Sequence, residues 1–298
     1  LQTGAAATFS SARSEYHAGE IVRVLSVSSG TVTLETPTFG AYASGGTSVA
    51  YKVTPTQTEM SDFKATFKSG LTGIRIKHGY RSRVTNVQLA GSDVSQLTFD
   101  KSFESSASNV LIDDRTASVG QNYGITIANS QRIDVAHSTL TATRHGLAIG
   151  GDSENGAIVN REITVSDSLI GSHTAGTLGA DMHGNVEFIK YQGCRMPNGV
   201  YIAGDHTEIV DCDIRATSGA SSYAIYASEL LGPNHLIQGN RFTAVAAMTG
   251  GSSALVNIGK NNDAFAYATR AGTFTIAENR LDMGAYDGDG IYAKMADS

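Results

Sequence analysis

The segment Ile133-Asp-Val-Ala-His-Ser-Thr-Leu140 and the later segment Ile163-Thr-Val-Ser-Asp-Ser-Leu-Ile170 follow one eight-residue pattern. Apolar residues occupy its first, third and eighth positions, and a small or polar residue occupies its sixth. A period of two in the apolar residues is typical of a β-strand with one buried face. The pattern recurs, with varying fidelity, in Ser82-Val84-Val87-Leu89, Val110-Ile112-Arg115-Ala117, Ile189-Tyr191-Cys194-Met196, Thr207-Ile209-Cys212-Ile214, His235-Ile237-Asn240-Phe242 and Phe274-Ile276-Asn279-Leu281.

The spacing of these copies predicts a β-solenoid. The final positions of neighbouring copies lie between 18 residues (196 to 214) and 39 residues (242 to 281) apart. Leucine-rich repeats need leucines at fixed positions and a recurring asparagine, which are absent here, and a propeller blade needs about 40 residues. We therefore predict an all-β, right-handed, single-stranded parallel β-helix over residues 71–298. Neighbouring coils would pair in parallel about 4.8 Å apart, with the sixth-position side chains at a corner.

Residues 1–70 have a different character and are predicted to form a small β cap. Two alternating runs, Glu20–Ser26 and Thr31–Pro37, flank a Ser-Gly turn and predict a hairpin. The chain begins at Leu1 without methionine and stops soon after a strand signal, so we expect it to be a processed piece of a longer protein.

Composition narrows the classes of function. The 298 residues carry a net charge of −6 without a basic stripe, which argues against nucleic acid as a partner. No apolar run approaches the length of a membrane span, so no membrane insertion is expected. The two cysteines form no metal motif; Cys194 and Cys212 occupy the same position of neighbouring copies, where stacked free thiols are favoured over a disulfide.

A second strand signal precedes most copies of the pattern, and it begins with glycine or alanine. By parity, this first residue and the residue two positions later point outward. A column of glycines on a strand marks close approach of a ligand or of another backbone. A flat face of small residues and tyrosines suits sugar rings. The signal occurs in Gly73–Ile76, Gly124–Ile127, Gly146–Ile149, Gly199–Ile202, Ala224–Ala227 and Gly290–Ala293.

Two segments carry the strongest chemical signal, Arg144-His145-Gly146 and Asp181-Met182-His183-Gly184. We interpret them as equivalent points of neighbouring coils that stack side by side. Histidine is the natural acid or base near neutral pH, and arginine can neutralise a uronate carboxylate. Asp181 would orient His183, bind a cation or act as the acid of a hydrolase. The structural alternative is that His145 points inward as a corner histidine and that Asp181 is a turn residue.

These segments resemble bacteriophage tailspike and tail-appendage depolymerases of the pectate-lyase-like superfamily, in which an Arg-His pair precedes an Asp-x-His-Gly segment by about one coil. The run from Tyr16 to Glu20, then to Pro37 and Tyr42, is similar to the N-terminal segment of such proteins. Asp181-Met182-His183 also resembles the Asp-Pro-His motif of mannuronan C5-epimerases, with methionine in place of proline. The resemblance implies a homotrimer and an extracellular glycan substrate, without fixing the reaction.

Further residues are candidates for binding the substrate. Tyr123, Tyr201 and Tyr226 flank the two central coils and could stack under a sugar or donate a proton. The loop and edge carboxylates could provide the pair that a glycoside hydrolase requires, or they could be solvated bystanders. These carboxylates are Asp152, Glu154, Asp205 and Glu229.

The sequence therefore predicts a domain of a phage-type tail protein that binds and degrades an acidic bacterial surface polysaccharide. The favoured mechanism is lyase-type abstraction of the C5 proton, with His145 or His183 as base, Arg144 as carboxylate clamp and a tyrosine as acid. A hydrolase that uses Asp181 with another carboxylate, and a non-catalytic receptor-binding module, are the alternatives. We expect an extracellular virion protein without a cofactor; Asp287-Gly-Asp289-Gly is only a fragment of a calcium loop.

Overall fold

A computed structural model describes residues 1–6, 17–42, 48–115, 121–151, 158–217, 223–231, 234–245, 248, 254–258, 273–284, 286 and 288–293. Every regular element within these ranges is a β-strand. No helix in this part of the chain could cross a membrane. The N-terminal part contains β1 (Gln2–Ala6), β2 (His17–Gly19), β3 (Val24–Ser28) and β4 (Thr31–Leu34).

The other 23 strands belong to one parallel stack. They are β5 (Glu59–Thr66), β6 (Ile74–Lys77), β7 (Arg83–Ala90), β8 (Ser95–Asp100), β9 (Phe103–Asp113), β10 (Tyr123–Ala128), β11 (Gln131–Ala136), β12 (Thr139–Ala142), β13 (His145–Gly150), β14 (Asn160–Ser166), β15 (Leu169–Ser172), β16 (Ala180–Met182), β17 (Val186–Gln192), β18 (Arg195–Met196), β19 (Val200–Val210), β20 (Asp213–Arg215), β21 (Tyr223–Leu231), β22 (His235–Gln238), β23 (Arg241–Thr243), β24 (Ala254–Ile258), β25 (Phe274–Ala277), β26 (Arg280–Asp282) and β27 (Asp289–Ala293).

These strands form two ladders joined by corners. The front ladder consists of β6, β8, β10, β13, β16, the first half of β19, β21, β24 and β27. The remaining strands and the second half of β19 form the back ladder, and all neighbours are parallel. The predicted parallel β-helix is therefore confirmed. β5 already pairs with β7, so strands of the helix precede residue 71, and the division into two units at residue 70 stays a prediction.

The predicted register is confirmed in the central coils. Ile133 aligns with Ile163, and Ile163 aligns with Ile189; all three are fully buried. The column continues through Thr207 and reaches Phe274 opposite His235. Stacked apolar side chains of this kind form the core between the ladders.

One predicted copy of the pattern is wrong. Val110 does not start a copy; it occupies the sixth position, where its N–H donates to Ser138 Oγ. The copy in this coil begins at Ser105, which aligns with Ile133. Small residues replace the apolar ones at its first and third positions, Ser105 and Ala107, so the period of two is hidden in the sequence.

The sixth-position side chains satisfy the backbone at the corner, as predicted. Ser168 Oγ accepts from Ser138 N at 3.1 Å, and Asn240 Oδ1 accepts from Cys212 N at 2.8 Å. Cys194 and Cys212 are buried free thiols, and Cys194 N donates to Cys212 Sγ at 3.4 Å, which agrees with the predicted stacking. A residue with positive φ precedes this position in many coils, such as His137 with φ 51°, and it turns the chain between the two halves of the back ladder.

The N-terminal hairpin is confirmed as β3 paired with β4 in antiparallel fashion. Ser29 and Gly30 both have positive φ, 48° and 81°, as the tight turn of a two-residue hairpin requires. The segment is fastened to the helix at its base, where Ile21 N donates to Gln131 Oε1 at 3.0 Å. The buried carboxylate of Glu20 accepts the nearby N–H groups of Phe39 and Gly40.

Candidate active site

The candidate site lies on the outward face of the front ladder. Ala148 of β13 is opposite Asp181 of β16. Because Ala180 pairs with Val200, Asp181 is followed on the next rung by Tyr201, and Tyr201 is opposite Tyr226. A small residue, a carboxylate and two phenols therefore form one column that runs across the rungs.

Asp181 holds two imidazoles together. Its Oδ2 lies 3.3 Å from His183 Nε2 and 3.6 Å from His145 Nε2. The three side chains are only 9 to 23% exposed, so their mutual interactions are weakly screened by solvent. The structure thus brings together the histidines and the aspartate of the two predicted segments.

The two His-Gly segments are nevertheless not equivalent in register, and this expectation is corrected. His145 begins β13, whereas His183 follows the end of β16. Since Ile149 pairs with Met182, His183 aligns with Gly150. The ring of His183 occupies the space over Gly150, where an added Cβ would lie 2.8 Å from its Cδ2 atom. The histidines meet because they approach Asp181 from different ends of neighbouring strands.

His145 is buried and has a fixed tautomer. Its ring stacks on that of Tyr123, with centroids 5.6 Å apart, and its Nδ1 lies 2.7 Å from the carbonyl oxygen of Leu178. A carbonyl can only accept, so Nδ1 carries the proton and neutral His145 presents a bare Nε2 toward Asp181. Burial lowers the pKa of His145, and the negative charge of Asp181 only partly offsets this effect. The ring is therefore suited to accept a proton at Nε2.

Neighbouring side chains stabilise the negative charge of Asp181. Burial alone would raise the pKa of this carboxyl group, but a hydrogen bond from His183 and, at the acidic pH where the group titrates, the positive charges of protonated His145, of His183 and of Arg144 outweigh burial, so the pKa is lowered. Arg144 is exposed at the edge of the site, and its Cζ lies 5.5 Å from the centre of the Tyr123 ring. A cation thus stands beside the buried Asp-His cluster.

The predicted glycine column does not open toward a ligand. A Cβ at Gly146 would lie 2.0 Å from the carbonyl oxygen of Leu140. Gly179, which the sequence pattern did not include, aligns with Gly146 in the next coil, and a Cβ there would lie 2.7 Å from the carbonyl oxygen of Ile170. These glycines allow the front ladder to pack on the backbone of the preceding strand. Close approach of another backbone, the second of the two readings of this column, therefore explains them.

The aromatic candidates surround the column. The Tyr201 and Tyr226 rings lie 5.4 Å apart, and Tyr223 stacks on Tyr226 at 4.6 Å. Tyr123 lies on the other side of the site, against His145. These positions are compatible with sugar stacking.

The structure separates one of the candidate carboxylates, Asp205, from this site. Asp205 lies beyond the corner at Gly204, where it is opposite Glu187 in the back ladder. Glu229 belongs to β21, opposite Ala203, but its side chain is outside the described part, as are Asp152 and Glu154. Sequence reasoning missed the Leu178 carbonyl, because a backbone acceptor leaves no signal in the side-chain pattern. Within the described residues, no group of three or more His, Cys, Asp or Glu side chains could hold a metal ion.

Comparison with known proteins identifies the family. The profile of the Gp49, pectin lyase-like family matches residues 90–279. No curated protein matches the chain.

Three solved tailspikes have a similar fold. The tailspike gp49 from Pseudomonas phage LKA1 is 20% identical with a TM-score of 0.77, covering 99% of this chain and 58% of its own. The tailspike gp61 from Pseudomonas phage phi297 is 21% identical with a TM-score of 0.72, covering 98% and 57%. The Gp54 tailspike of Acinetobacter baumannii bacteriophage AP22, solved with a capsular saccharide, is 21% identical with a TM-score of 0.65, covering 97% and 54%. The chain thus spans little more than half the length of these tailspikes, and it belongs to the Gp49, pectin lyase-like family.

Proposed function

We propose that this chain is the polysaccharide-degrading part of a phage tailspike and that it cleaves an acidic bacterial surface polysaccharide by β-elimination. The observation that carries the proposal is the Asp181 carboxylate between two imidazoles, with Arg144 at the edge of the site. The similarity to tailspikes, one of them solved with capsular saccharide, supports the substrate class.

Each group has a different role in the proposed mechanism. The bare Nε2 of His145 takes the C5 proton of a uronate, and Arg144 neutralises the uronate carboxylate, which acidifies that C–H bond. The C5 electrons form the C4–C5 double bond as the C4–O bond breaks. The leaving oxygen takes a proton from Tyr201, one rung from Asp181. Asp181 holds His183 and stabilises the positive charge that develops on His145.

The glycan would lie along the column, perpendicular to the strands. Ala148 leaves room for the reacting sugar, while Tyr201 and Tyr226 offer ring faces on the following rungs. Rungs are about 4.8 Å apart, so sugars of an extended chain can contact successive rungs.

The test is incubation with alginate, polygalacturonate and A. baumannii capsular saccharide, with two products measured in parallel. A lyase produces unsaturated ends, seen as ultraviolet absorbance, in step with new reducing ends. Reducing ends without absorbance would replace the proposal with a hydrolase. Binding without either product would make the chain a receptor-binding module.

We also propose that the full-length protein is a homotrimer on the virion tail. The similarity to tailspikes supports this. So does the β3–β4 hairpin, whose Val24, Leu25, Val27 and Val32 side chains are 48 to 69% exposed. A two-stranded hairpin alone is marginally stable in water, and a second copy of the chain would cover its apolar surface.

A further inference from the structure

A row of residues with positive φ runs along the edge of the back ladder, one in each of seven successive coils. The first four carry alternating charges and form a chain of ion pairs. Glu104 contacts Arg81 at 2.9 Å and Arg132 at 3.2 Å, and Arg132 contacts Glu162 at 2.8 Å. The row consists of Arg81, Glu104, Arg132, Glu162, Phe188, His206 and Asn234.

Aromatic rings replace the ion pairs in the next two coils. Phe188 has φ 55° and is 40% exposed, and it stacks on His206 with centroids 4.4 Å apart. Phe39 of the N-terminal segment adds a third ring 6.0 Å from Phe188 and is 53% exposed. Positive φ is shared by every member of the row, so this backbone conformation belongs to the turn of the fold. Phe188 differs from the charged members because it places a bulky apolar ring at such a position, where it is 40% exposed.

Polar groups lie directly beside these rings. The side chain of Arg161 is only 7% exposed, its Cζ lies 4.3 Å from the centre of the Phe39 ring, and it donates to Glu187 Oε2 from Nε at 2.7 Å and Nη2 at 2.5 Å. Its buried Nη1 has no hydrogen-bond partner among the described residues.

Asp205 adds a carboxyl group on the rung next to Glu187. The side chain of Asp205 is 15% exposed, and its Oδ1 lies 2.8 Å from Nδ1 of His206. Burial raises the pKa of Asp205, the charge of Glu187 adds to this, and His206 opposes it.

We propose that Phe39, Phe188 and His206, with Asp205 and Arg161, form a second saccharide-binding site, separate from the Asp181 site. The apolar faces of sugar rings would stack on the aromatic row, and their hydroxyl groups would pair with the carboxyl group of Asp205 and with Arg161 Nη1. An apolar protein surface would leave Arg161 Nη1 unpaired at a cost in free energy, whereas a sugar hydroxyl can accept its hydrogen bond. The choice of saccharide as ligand rests on the proposed function.

The test compares two variants in an Asp181→Asn background, titrated calorimetrically with alginate, polygalacturonate and A. baumannii capsular saccharide. Phe188→Asn removes the ring and places there a residue that tolerates positive φ, so Tm should stay the same or rise. Affinity for the saccharide should fall about five- to tenfold. The control is Leu111→Ala, because Leu111 is also 40% exposed and lies on the same ladder; its affinity should not change.

Unchanged affinity in Phe188→Asn, or no binding of any of the three polysaccharides, overturns the proposal. A fall in Tm with proteolytic release of the N-terminal segment also overturns it, because Phe188 would then serve only to dock Phe39. Cleavage by the wild-type and Asp181→Asn proteins is measured separately. Retained cleavage in Asp181→Asn would reject the active-site assignment without altering the affinity ratio between the two variants.

Discussion

At the scale of single residues, Asp181 joins two histidines with different surroundings. His145 is buried and fixed by a backbone carbonyl, whereas His183 lies beyond the strand end and is more exposed. Two titratable groups whose environments differ are the usual basis for dividing acid and base roles. In the mechanism that we propose, His145 is the proton acceptor and His183 is a partner of Asp181.

Replacing Asp181 by asparagine should lower kcat about a hundredfold or more, in line with the loss of acid–base assistance. The amide keeps the size of the side chain but not the charge that stabilises a protonated His145. The measurement is initial rate on the polysaccharide that the wild-type protein cleaves, with circular dichroism to verify folding. Wild-type activity in a folded Asp181→Asn protein would show that the site lies elsewhere.

The acid limb of the kcat/KM profile should lie below pH 6.5, the ordinary histidine pKa, because burial lowers the pKa of His145. The base is active when unprotonated, so activity is lost only as pH falls through this lowered value. Between the lowered pKa and 6.5 the unfolded chain binds more protons at this histidine than the folded protein does. The free energy of unfolding therefore decreases as the pH is lowered through that window. His145→Gln should remove this pH dependence of the free energy of unfolding, measured by denaturation at several pH values. If the variant lost stability as steeply as the wild-type protein when the pH is lowered, the lowered pKa could not be assigned to His145.

At the scale of elements, the site depends on how closely the front ladder approaches the preceding strand. Gly146 lies between the catalytic candidate His145 and the core residue Leu147, and its backbone nearly touches that of Leu140. Alternating strand geometry then places Ala148 on the outer face beside Asp181. The glycine therefore acts through packing rather than through contact with substrate.

Gly146→Ala should destabilise the protein by about 1–3 kcal/mol, the range for overpacking a filled interior. The added Cβ would meet the carbonyl oxygen of Leu140 at 2.0 Å, so a strand must move. Gly40→Ala is the matched control, because its Cβ would meet only the Tyr42 ring at 3.5 Å. Urea denaturation gives the unfolding midpoint of each variant. Equal midpoints would show that the front ladder can move to accommodate the added methyl group without loss of stability.

At the scale of the whole molecule, the N-terminal segment is fastened along the helix but carries a hairpin that projects from it. Ile21 and Phe39 contact the parallel β-helix, through Gln131 and Arg161 respectively, and Glu20 accepts a hydrogen bond from Phe39 within the N-terminal segment. In contrast, β3 is exposed along its whole length. In a trimer, this apolar hairpin would lie against a neighbouring copy.

Val27→Asp should therefore weaken assembly of the full-length protein, because Val27 is 69% exposed in one chain and would be buried between chains. Light scattering over a range of concentrations should show smaller species for the variant than for the wild-type protein. Val53→Asp, at 45% exposure outside the hairpin, serves as control. A wild-type protein that is monomeric, or a Val27→Asp protein that is fully trimeric, would reject this interface.

Sequence patterns were enough to predict the parallel β-helix, the register of the central coils, the corner column and the N-terminal hairpin. These features follow from local rules, since a period of two fixes which side chains point inward and a corner favours small polar residues. The prediction was wrong in the coil of Ser105 and Ala107, because these small residues stand where the pattern expects apolar ones. The copy predicted to begin at Val110 begins at Ser105.

The assembly of the site could not be predicted in full, because it depends on contacts between coils. Arg144, His145, Asp181 and His183 were recognised as a group, but their register was not, because pairing between coils depends on where each loop ends rather than on the residues themselves. The tautomer of His145 depends on the Leu178 carbonyl, and Asp205 faces Glu187 because the chain turns at Gly204. A side-chain pattern records which face a residue occupies along its strand, whereas contact across coils is fixed by the packing of the whole stack.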